Sequence, residues 1–185
     1  LDRMRAAGVN HIDIAPSYGD AEQRLGPWLE HHRDRFFLSC KTEQRTRDGA
    51  ERELHGSLER LRTDFIDVYQ FHAVATHEEL DALLDPRDGA IHAFTAARDQ
   101  KLIGDIGITT HGMLASGVLL AALERFDFAP IMFPVNARLY ADAEYRRDAE
   151  RVLALAAERD VGVMAIKAVA ERPWHEGEPH SGPWY

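Results

Sequence analysis

The sequence predicts an α/β fold of the (β/α)8 TIM-barrel type, of which this chain holds about six strands. Short apolar runs alternate with amphipathic stretches of helical periodicity, which is typical of a parallel sheet with helices packed outside it. Ionisable or amide side chains end several of these runs. A doubly wound open sheet is the other arrangement of such units, but it usually carries a glycine-rich phosphate loop after its first strand. Gly19 and Gly26 do not form that loop.

Strands and helices are predicted to alternate along the whole chain. Leu54, Leu58 and Leu61 recur at i, i+4 and i+7, and Thr46 is a suitable N-cap for their helix. Residues 1–7 are predicted to be the last turns of a helix that ends at Gly8. The predicted strands are 9–15, 35–41, 64–72, 102–108, 130–136 and 161–168, and the predicted helices are 21–31, 50–61, 77–84, 90–100, 114–125 and 143–159. Residues 171–185, rich in Pro, Gly, His and Trp, are predicted to be a loop or tail.

The chain is shorter than a complete barrel of this type. It has 185 residues, whereas a complete barrel of this type typically needs about 250. Since no linker or low-complexity segment divides it, we interpret residues 1–185 as a single, partial barrel domain. The six strands are then expected to be the second to the seventh of the barrel. An open sheet would expose two unpaired edges, which natural proteins avoid.

The composition excludes several classes of protein. Lys and Arg number 22 against 31 Asp and Glu, and this net charge of −9 argues against general nucleic-acid binding. No apolar run approaches the roughly 20 residues of a membrane-spanning helix, and no signal peptide is visible. The single cysteine, Cys40, cannot form an internal disulfide, and we expect a buried thiol that faces the helices. These features predict a cytoplasmic protein with neither a nucleic-acid nor a membrane partner.

Functional groups of a (β/α)8 barrel gather at the C-terminal ends of its strands. Asp13, Lys41 and His72 lie at or near the ends of the first three predicted strands, at intervals of roughly one strand–helix unit. Tyr18 lies in the loop after the first strand, from which it can reach over the barrel mouth. The three later candidate strand ends are Thr110, Asn136 and Lys167.

The first four of these side chains suit acid catalysis at a carbonyl group. A phenol, with a pKa of about 10, is a poor proton donor at neutral pH, but a neighbouring ammonium makes it a stronger acid. A carboxylate holds that ammonium in place, and a histidine N–H can orient the carbonyl oxygen. General acid catalysis of this kind contributes roughly 10²- to 10⁴-fold. Each residue alone also has a structural interpretation, so the hypothesis depends on their occurrence together.

Four segments resemble those of the aldo-keto reductase family. Residues 8–19 (GVNHIDIAPSYG) contain its D-x-A-x-x-Y-G motif, and residues 37–42 (FLSCKT) resemble its strand ending in Lys-Thr. Residues 57–72 (SLERLRTDFIDVYQFH) resemble its S-L-x-R-L-x-T-D-x-x-D-x-Y-x-x-H stretch, and residues 103–110 (IGDIGITT) resemble its I-R-x-I-G-V-S-N strand. The resemblance covers about residues 5 to 170. It implies a (β/α)8 barrel, NADP(H) as the usual cofactor, and reduction of a small-molecule carbonyl substrate to an alcohol.

The resemblance also implies catalytic roles. Tyr18 matches the family's proton donor, and Lys41 matches the lysine that makes this tyrosine a stronger acid. Asp13 is then expected to support Lys41, and His72 to orient the substrate carbonyl. These are the same roles that the side-chain chemistry suggests.

The cofactor contacts match the family less closely. Thr109 and Thr110 lie where the family often has Ser-Asn against the nicotinamide amide, and Asn136 is the nearest substitute for its Gln on the next strand. Lys167 follows a strand that lacks the family's stacking aromatic residue. We expect Lys167 to contact either a cofactor phosphate or a surface carboxylate.

Two other functions remain open at this point. In a metal-dependent barrel hydrolase, His11, Asp13 and His72 would ligate a divalent metal with Lys41 in support. That arrangement gives Tyr18 no role. A reductase-like barrel can also serve as a sensor or scaffold subunit that binds NADP without turnover.

Overall fold

Six parallel strands form one curled sheet in the computed structural model, which describes residues 1–168. Their spatial order follows their order in the sequence, from β1 to β6, as in a (β/α)8 barrel and unlike a doubly wound sheet. The arrangement matches part of a (β/α)8 barrel and confirms the predicted fold class. The strands are β1 (His11–Asp13), β2 (Phe37–Thr42), β3 (Ile66–Phe71), β4 (Ile103–Thr109), β5 (Pro130–Pro134) and β6 (Gly162–Ile166).

Helices connect these strands. They are α1 (Asp2–Ala6), α2 (Ala21–Leu29), α3 (Arg47–Leu61), α4 (His77–Leu83), α5 (Ile91–Asp99), α6 (Ala115–Arg125), α7 (Ala137–Tyr140) and α8 (Ala143–Glu158). Every predicted strand and helix within residues 1–168 is present, although the ends differ by a few residues. Neither α7 nor the 3-10 turn Arg33–Arg35 was predicted from the sequence, because segments of three or four residues are too short to show helical periodicity.

Capping residues explain where several helices begin and end. The Thr46 hydroxyl accepts a backbone N–H of the first turn of α3, as predicted. Thr76 caps α4 in the same way, and Asp142 caps α8. Gly8, at φ +81°, follows α1 in the left-handed region that favours glycine, which confirms the predicted helix end.

The core lies between the sheet and the helices. Cys40, Tyr69 and Ile106 are neighbours in the strand register, and all three are buried on the helix-facing side. Phe71 stacks on Phe94 of α5 with ring centroids 4.0 Å apart. Burial of such a side chain contributes about 1.5–3 kcal/mol, so this layer is a major source of stability.

The opposite face of the sheet carries the polar residues. In the register, Asp13 lies beside Ser39, Lys41 beside Gln70, and Gln70 beside Gly107. Side chains that are neighbours in a register point to the same face. The inner face of the sheet therefore presents a polar row close to the C-terminal ends of β1–β3.

No helix within residues 1–168 is both long and apolar enough to cross a membrane. The predicted loop at 171–185 lies outside the described residues.

Candidate active site

Lys41 and Asp13 form an ion pair where β1 and β2 end. The Lys41 Nζ lies 2.5 Å from Asp13 Oδ2 and donates to the carbonyl oxygen of Ile14 at 3.1 Å. The Lys41 side chain is only 1% exposed, whereas that of Asp13 is 31% exposed. Because burial of an unpaired charge is costly, these two acceptors compensate for the burial of the ammonium and fix its direction.

Gln70 holds the other oxygen of the Asp13 carboxylate. It is a buried residue of β3, and its Nε2 donates to Asp13 Oδ1 at 3.2 Å. A Cβ at Gly107 on the next strand would lie 2.8 Å from the Gln70 side chain, so the absence of a side chain there leaves room for Gln70. Gln70 was not identified from the sequence. The available signal was a polar residue two positions before His72, and therefore on the same face of the strand.

Tyr18 lies close to this ion pair. The Lys41 Nζ is 5.1 Å from the centre of the Tyr18 ring. The same ring meets that of His72 edge to face, with centroids 5.8 Å apart. Tyr18 is 46% exposed, so its ring is accessible to a substrate. The structure thus brings together all four residues that the sequence analysis proposed as catalytic.

The backbone around His72 is held at several points. Its N–H donates to the Thr42 carbonyl at 2.7 Å, and its own carbonyl accepts from Arg45 Nη2 at 2.8 Å. The next residue, Ala73, has φ +53°, an uncommon conformation for a residue other than glycine. The Ala73 N–H donates to the Thr109 hydroxyl at 2.9 Å, which supports this conformation.

The His72 imidazole is in contact with charged groups. Its Nδ1 lies 3.2 Å from Glu43 Oε1 and 3.4 Å from the Ser17 hydroxyl. Burial lowers the pKa of His72 from its ordinary value, and the Lys41 ammonium acts in the same direction. The Glu43 and Asp13 carboxylates oppose that shift of the pKa. Neither Ser17 nor Glu43 was identified from the sequence.

A cleft of about 230 Å³ opens beside these groups. The side chains that line it are largely polar and include the Lys41 ammonium, so it suits a small ligand with an oxygen acceptor. The lining residues are Pro16, Ser17, Lys41, Glu43, Gln44, Glu53 and His72.

The two threonines predicted to contact a cofactor are buried at the end of β4. The Thr109 hydroxyl accepts the Ala73 N–H, and the Thr110 hydroxyl donates to the carbonyl of Ala115 at 3.4 Å. The accepting hydroxyl of Thr109 keeps its own proton for donation. Contact of these threonines with a cofactor stays a prediction.

The remaining predicted cofactor contacts lie after β5 and β6. The Asn136 side chain accepts the Leu139 N–H at 2.9 Å, which caps α7, and donates to the Lys167 carbonyl at 3.2 Å. Asn136 therefore joins the ends of these two strands. Lys167 is exposed and has φ +53°. Their roles toward a cofactor also stay predictions.

His111 follows β4 and was not identified from the sequence. It lies close to His72 and within range of the Lys167 charge. Its ring centroid is 6.0 Å from that of His72, and its Nδ1 is buried without a hydrogen-bond partner among the described residues. Burial lowers the pKa of His111, followed by the positive charge of Lys167. A neutral imidazole is therefore favoured at this position.

Cys40 faces the helices, as predicted. It is fully buried, and its Sγ lies 3.4 Å from Glu22 Oε1 on α2. The other oxygen of this buried carboxylate accepts from Arg60 Nε at 2.6 Å. Burial, followed by the Glu22 charge, raises the pKa of the Cys40 thiol, so the neutral thiol is strongly favoured.

The residues of the hydrolase alternative do not converge on one point. His11 Nε2 is hydrogen-bonded to the Ser39 hydroxyl at 2.9 Å, and Asp13 is engaged by Lys41 and Gln70. Across residues 1–168 no group of three or more His, Cys, Asp or Glu side chains is arranged to hold a metal ion.

Comparison with known proteins agrees with this geometry. The chain is 25% identical over 185 residues to the uncharacterized oxidoreductase YqkF of Bacillus subtilis, which covers 92% of this chain and 55% of that protein. It is 34% identical over 89 residues to the aldo-keto reductase YhdN of the same organism, covering 39% of this chain and 27% of that protein.

Solved structures give the same result. The holo form of an aldo-keto reductase from Bacillus halodurans superposes with a TM-score of 0.71 at 25% identity, covering 96% of this chain and 60% of that chain. Both YqkF and this structure match most of the present chain, but the present chain spans only 55% to 60% of their own length. The model of the aldo/keto reductase family matches residues 1–178, and the chain belongs to this family.

Proposed function

We propose that this protein reduces an aldehyde or ketone to an alcohol by hydride transfer from NADPH, with Tyr18 as the general acid. The observation that carries the proposal is the short contact of the buried Lys41 ammonium with Asp13, directly beside the Tyr18 ring. Family membership agrees with an oxidoreductase. A structural salt bridge alone would not require an accessible phenol at the same place.

The proton comes from the Tyr18 hydroxyl and goes to the carbonyl oxygen of the substrate. As the proton leaves, negative charge develops on the phenol oxygen, and the Lys41 ammonium stabilises this charge. Asp13 prevents Lys41 from turning away, and Gln70 in turn fixes Asp13. His72, whose ring meets the Tyr18 ring, orients the carbonyl oxygen.

Members of this family use nicotinamide cofactors, and a bound cofactor would supply the hydride to the carbonyl carbon. The chain has side chains that could donate hydrogen bonds to such a cofactor. Lys167 is an exposed cation that suits a phosphate, and the hydroxyls of Thr109 and Thr110 lie at the end of β4. The Asn136 oxygen retains an acceptor site beyond its capping bond. The preference for NADP over NAD is part of the proposal.

The test is Tyr18→Phe, which removes the acidic proton and keeps the ring. We expect NADPH oxidation with a panel of aldehydes and ketones to fall by about 10²- to 10⁴-fold, while NADPH binding, measured by fluorescence titration, stays within about twofold. The matched control is Tyr140→Phe on α7, away from the cleft. Turnover retained in Tyr18→Phe would show that another group is the acid.

Two measurements on the wild-type protein, the carbonyl assay and metal analysis, test the two alternative functions. A wild-type protein that binds NADPH but turns over none of the carbonyl panel would favour the sensor or scaffold role. Near-stoichiometric Zn, Mn or Fe in the purified protein would favour the hydrolase.

A further inference from the structure

We propose that Arg45 is a positioning residue that fixes the peptide group between His72 and Ala73, and through this peptide group the direction of the His72 ring. The inference rests on the proposed function, in which His72 orients the substrate carbonyl. It follows from one strained peptide group whose two ends are held by different elements of the fold.

The peptide group that joins His72 to Ala73 is hydrogen-bonded at both ends. Its carbonyl oxygen accepts from Arg45 Nη2 at 2.8 Å, and its N–H donates to the Thr109 hydroxyl at 2.9 Å. Arg45 follows β2 and Thr109 ends β4, so the peptide group after β3 is held from both neighbouring strands. The two hydrogen bonds together fix the plane of this peptide group.

The same peptide group is held in an unfavourable conformation. Ala73 has φ +53°, a left-handed conformation in which the Cβ of an L-residue crowds the following carbonyl oxygen. Rotation of the peptide plane by about half a turn would return this φ to the ordinary negative range. Such a rotation would break both hydrogen bonds and would change ψ of His72. Arg45 and Thr109 therefore oppose a relaxation that would disturb His72.

Arg45 is itself held through both its backbone and its side chain. Its backbone carbonyl accepts the N–H of Ala90, which precedes α5, at 3.1 Å. Its Nη2 also lies 3.6 Å from Glu79 Oε1 on α4, and the other oxygen of Glu79 accepts the Ala75 N–H at 2.6 Å. The guanidinium therefore approaches the His72 carbonyl from a fixed position.

The surroundings of Arg45 do not indicate a role in stability. Its Nε and Nη1 are buried and have no hydrogen-bond partner within residues 1–168. Glu79 approaches only to an ion-pair distance of 3.6 Å. Because a buried cation with unpaired nitrogens loses solvation that these contacts do not replace, we expect an apolar side chain of similar length to cost little stability at this position.

Arg33 provides a matched comparison at the opposite ends of the same two strands. The side chains of Arg33 and Arg45 are 21% and 17% exposed, and both donate to backbone carbonyls. Every guanidinium nitrogen of Arg33 has a partner, since Nε donates to the Phe65 carbonyl at 3.2 Å, Nη1 to the Phe36 carbonyl at 2.7 Å and Nη2 to Asp67 Oδ2 at 2.6 Å. Arg33 therefore has the contacts of a structural arginine.

The first test compares Arg45→Met with Arg33→Met in the full chain. We expect the kcat of carbonyl reduction to fall by about 10- to 10²-fold in Arg45→Met, because the His72 ring is misplaced. The KM for NADPH and the urea midpoint should stay close to those of the wild type. Arg33→Met should show the reverse, with a lower urea midpoint and an unchanged kcat.

Two results of this comparison would overturn the proposal. One is a kcat of Arg45→Met that equals that of the wild type. The other is a urea midpoint of Arg45→Met that is lowered as far as that of Arg33→Met, or failure of the variant to fold, since Arg45 would then be a structural residue.

A second test removes the strain of the peptide group. Glycine adopts a positive φ without the steric cost of a Cβ, so Ala73→Gly removes the tendency of the peptide group to rotate. Added to Arg45→Met, this change should raise kcat by about threefold or more, and it should have a smaller effect on kcat in the wild-type background. Equal effects in the two backgrounds would show that Arg45 does not act through this peptide group.

A third measurement does not depend on turnover. NMR coupling constants that involve the amide proton of Ala73 report its φ. We expect a positive φ in the wild type and in Arg33→Met, and a negative φ in Arg45→Met. A positive φ retained in Arg45→Met would contradict the inference. Turnover retained in Tyr18→Phe would refute the proposed function and leave this φ unchanged, so the two failures can be distinguished.

Discussion

The ends of β1–β3 and the ends of β4–β6 differ in how their polar side chains are held. At the first three strands, Lys41 and Gln70 each donate a hydrogen bond to the Asp13 carboxylate, so these side chains hold one another across neighbouring strands. At the last three, Thr109 and Asn136 bond chiefly to backbone groups of the loops. The side chains of the first region therefore hold one another in place, whereas those of the second hold the loops around it.

The largest expected effect is the loss of kcat in a variant of Lys41, which belongs to the first region. The corresponding variant of Lys167, in the second region, is the comparison. Lys41→Met should lower kcat by about 10³-fold or more, because the charge that assists the acid is lost from a buried site. Lys167→Met should leave kcat within about threefold and change only the KM for NADPH, by about tenfold or less, since an exposed ion pair contributes roughly 0–1 kcal/mol. Steady-state kinetics of both variants check this, and a loss of kcat in Lys167→Met would remove the contrast.

A smaller effect is expected where the two regions meet. Thr109→Val removes the acceptor of the Ala73 N–H and should lower the free energy of unfolding by about 1–3 kcal/mol. Because Ala73 follows His72 directly, kcat should fall as well. Urea denaturation and kinetics measure both. Thr109→Ser, which keeps the hydroxyl, is the control. If Thr109→Val raised only the KM for NADPH, Thr109 would be primarily a cofactor ligand.

The smallest effect concerns the pH dependence of stability at the boundary of the two regions. The pKa of His111 is lowered in the folded protein, so the unfolded chain binds more protons below the ordinary histidine value. His111 therefore contributes to the free energy of unfolding above the ordinary histidine pKa. This contribution is lost as the pH falls from the ordinary pKa towards the lowered pKa of the folded protein. His72 contributes with the same sign.

The test is His111→Phe, which should lose less stability than the wild type between about pH 7.5 and 5.5. Urea midpoints at the two pH values measure this change. His55→Phe, at an exposed position of α3, is the control and should follow the wild type. A midpoint of His111→Phe that falls as steeply as the wild type would mean that other groups carry the acid sensitivity.

Periodicity and strand ends were sufficient to predict the fold and the grouping of Asp13, Lys41 and His72. Apolar alternation determines which residues face the helices, and parallel strands in sequence order bring their ends together. Tyr18 was predictable because its loop is short and follows β1 directly. The approach of Tyr18 to both Lys41 and His72 thus follows from local pattern and topology.

Other features of the site depend on contacts that no local pattern encodes. Gln70 acts through Asp13, which is 57 residues away, and Glu43 is an ordinary acidic loop residue until the fold places it against His72. The left-handed conformation of Ala73 was also unpredictable, because it is stabilised by the distant Thr109. Short segments such as α7 depend on a single cap.

The position of Cys40 next to Lys41 has a consequence for the folding of β2. Successive residues of this strand engage opposite layers, since Lys41 binds Asp13 on the inner face and Cys40 contacts Glu22 on the helix side. A slip of one residue would exchange the two faces. It would press an ammonium into the helix layer and leave Glu22 without its thiol neighbour. A one-residue slip of β2 is therefore disfavoured on both of its faces, and the correct register of β1 with β2 is also the one that brings Lys41 to Asp13.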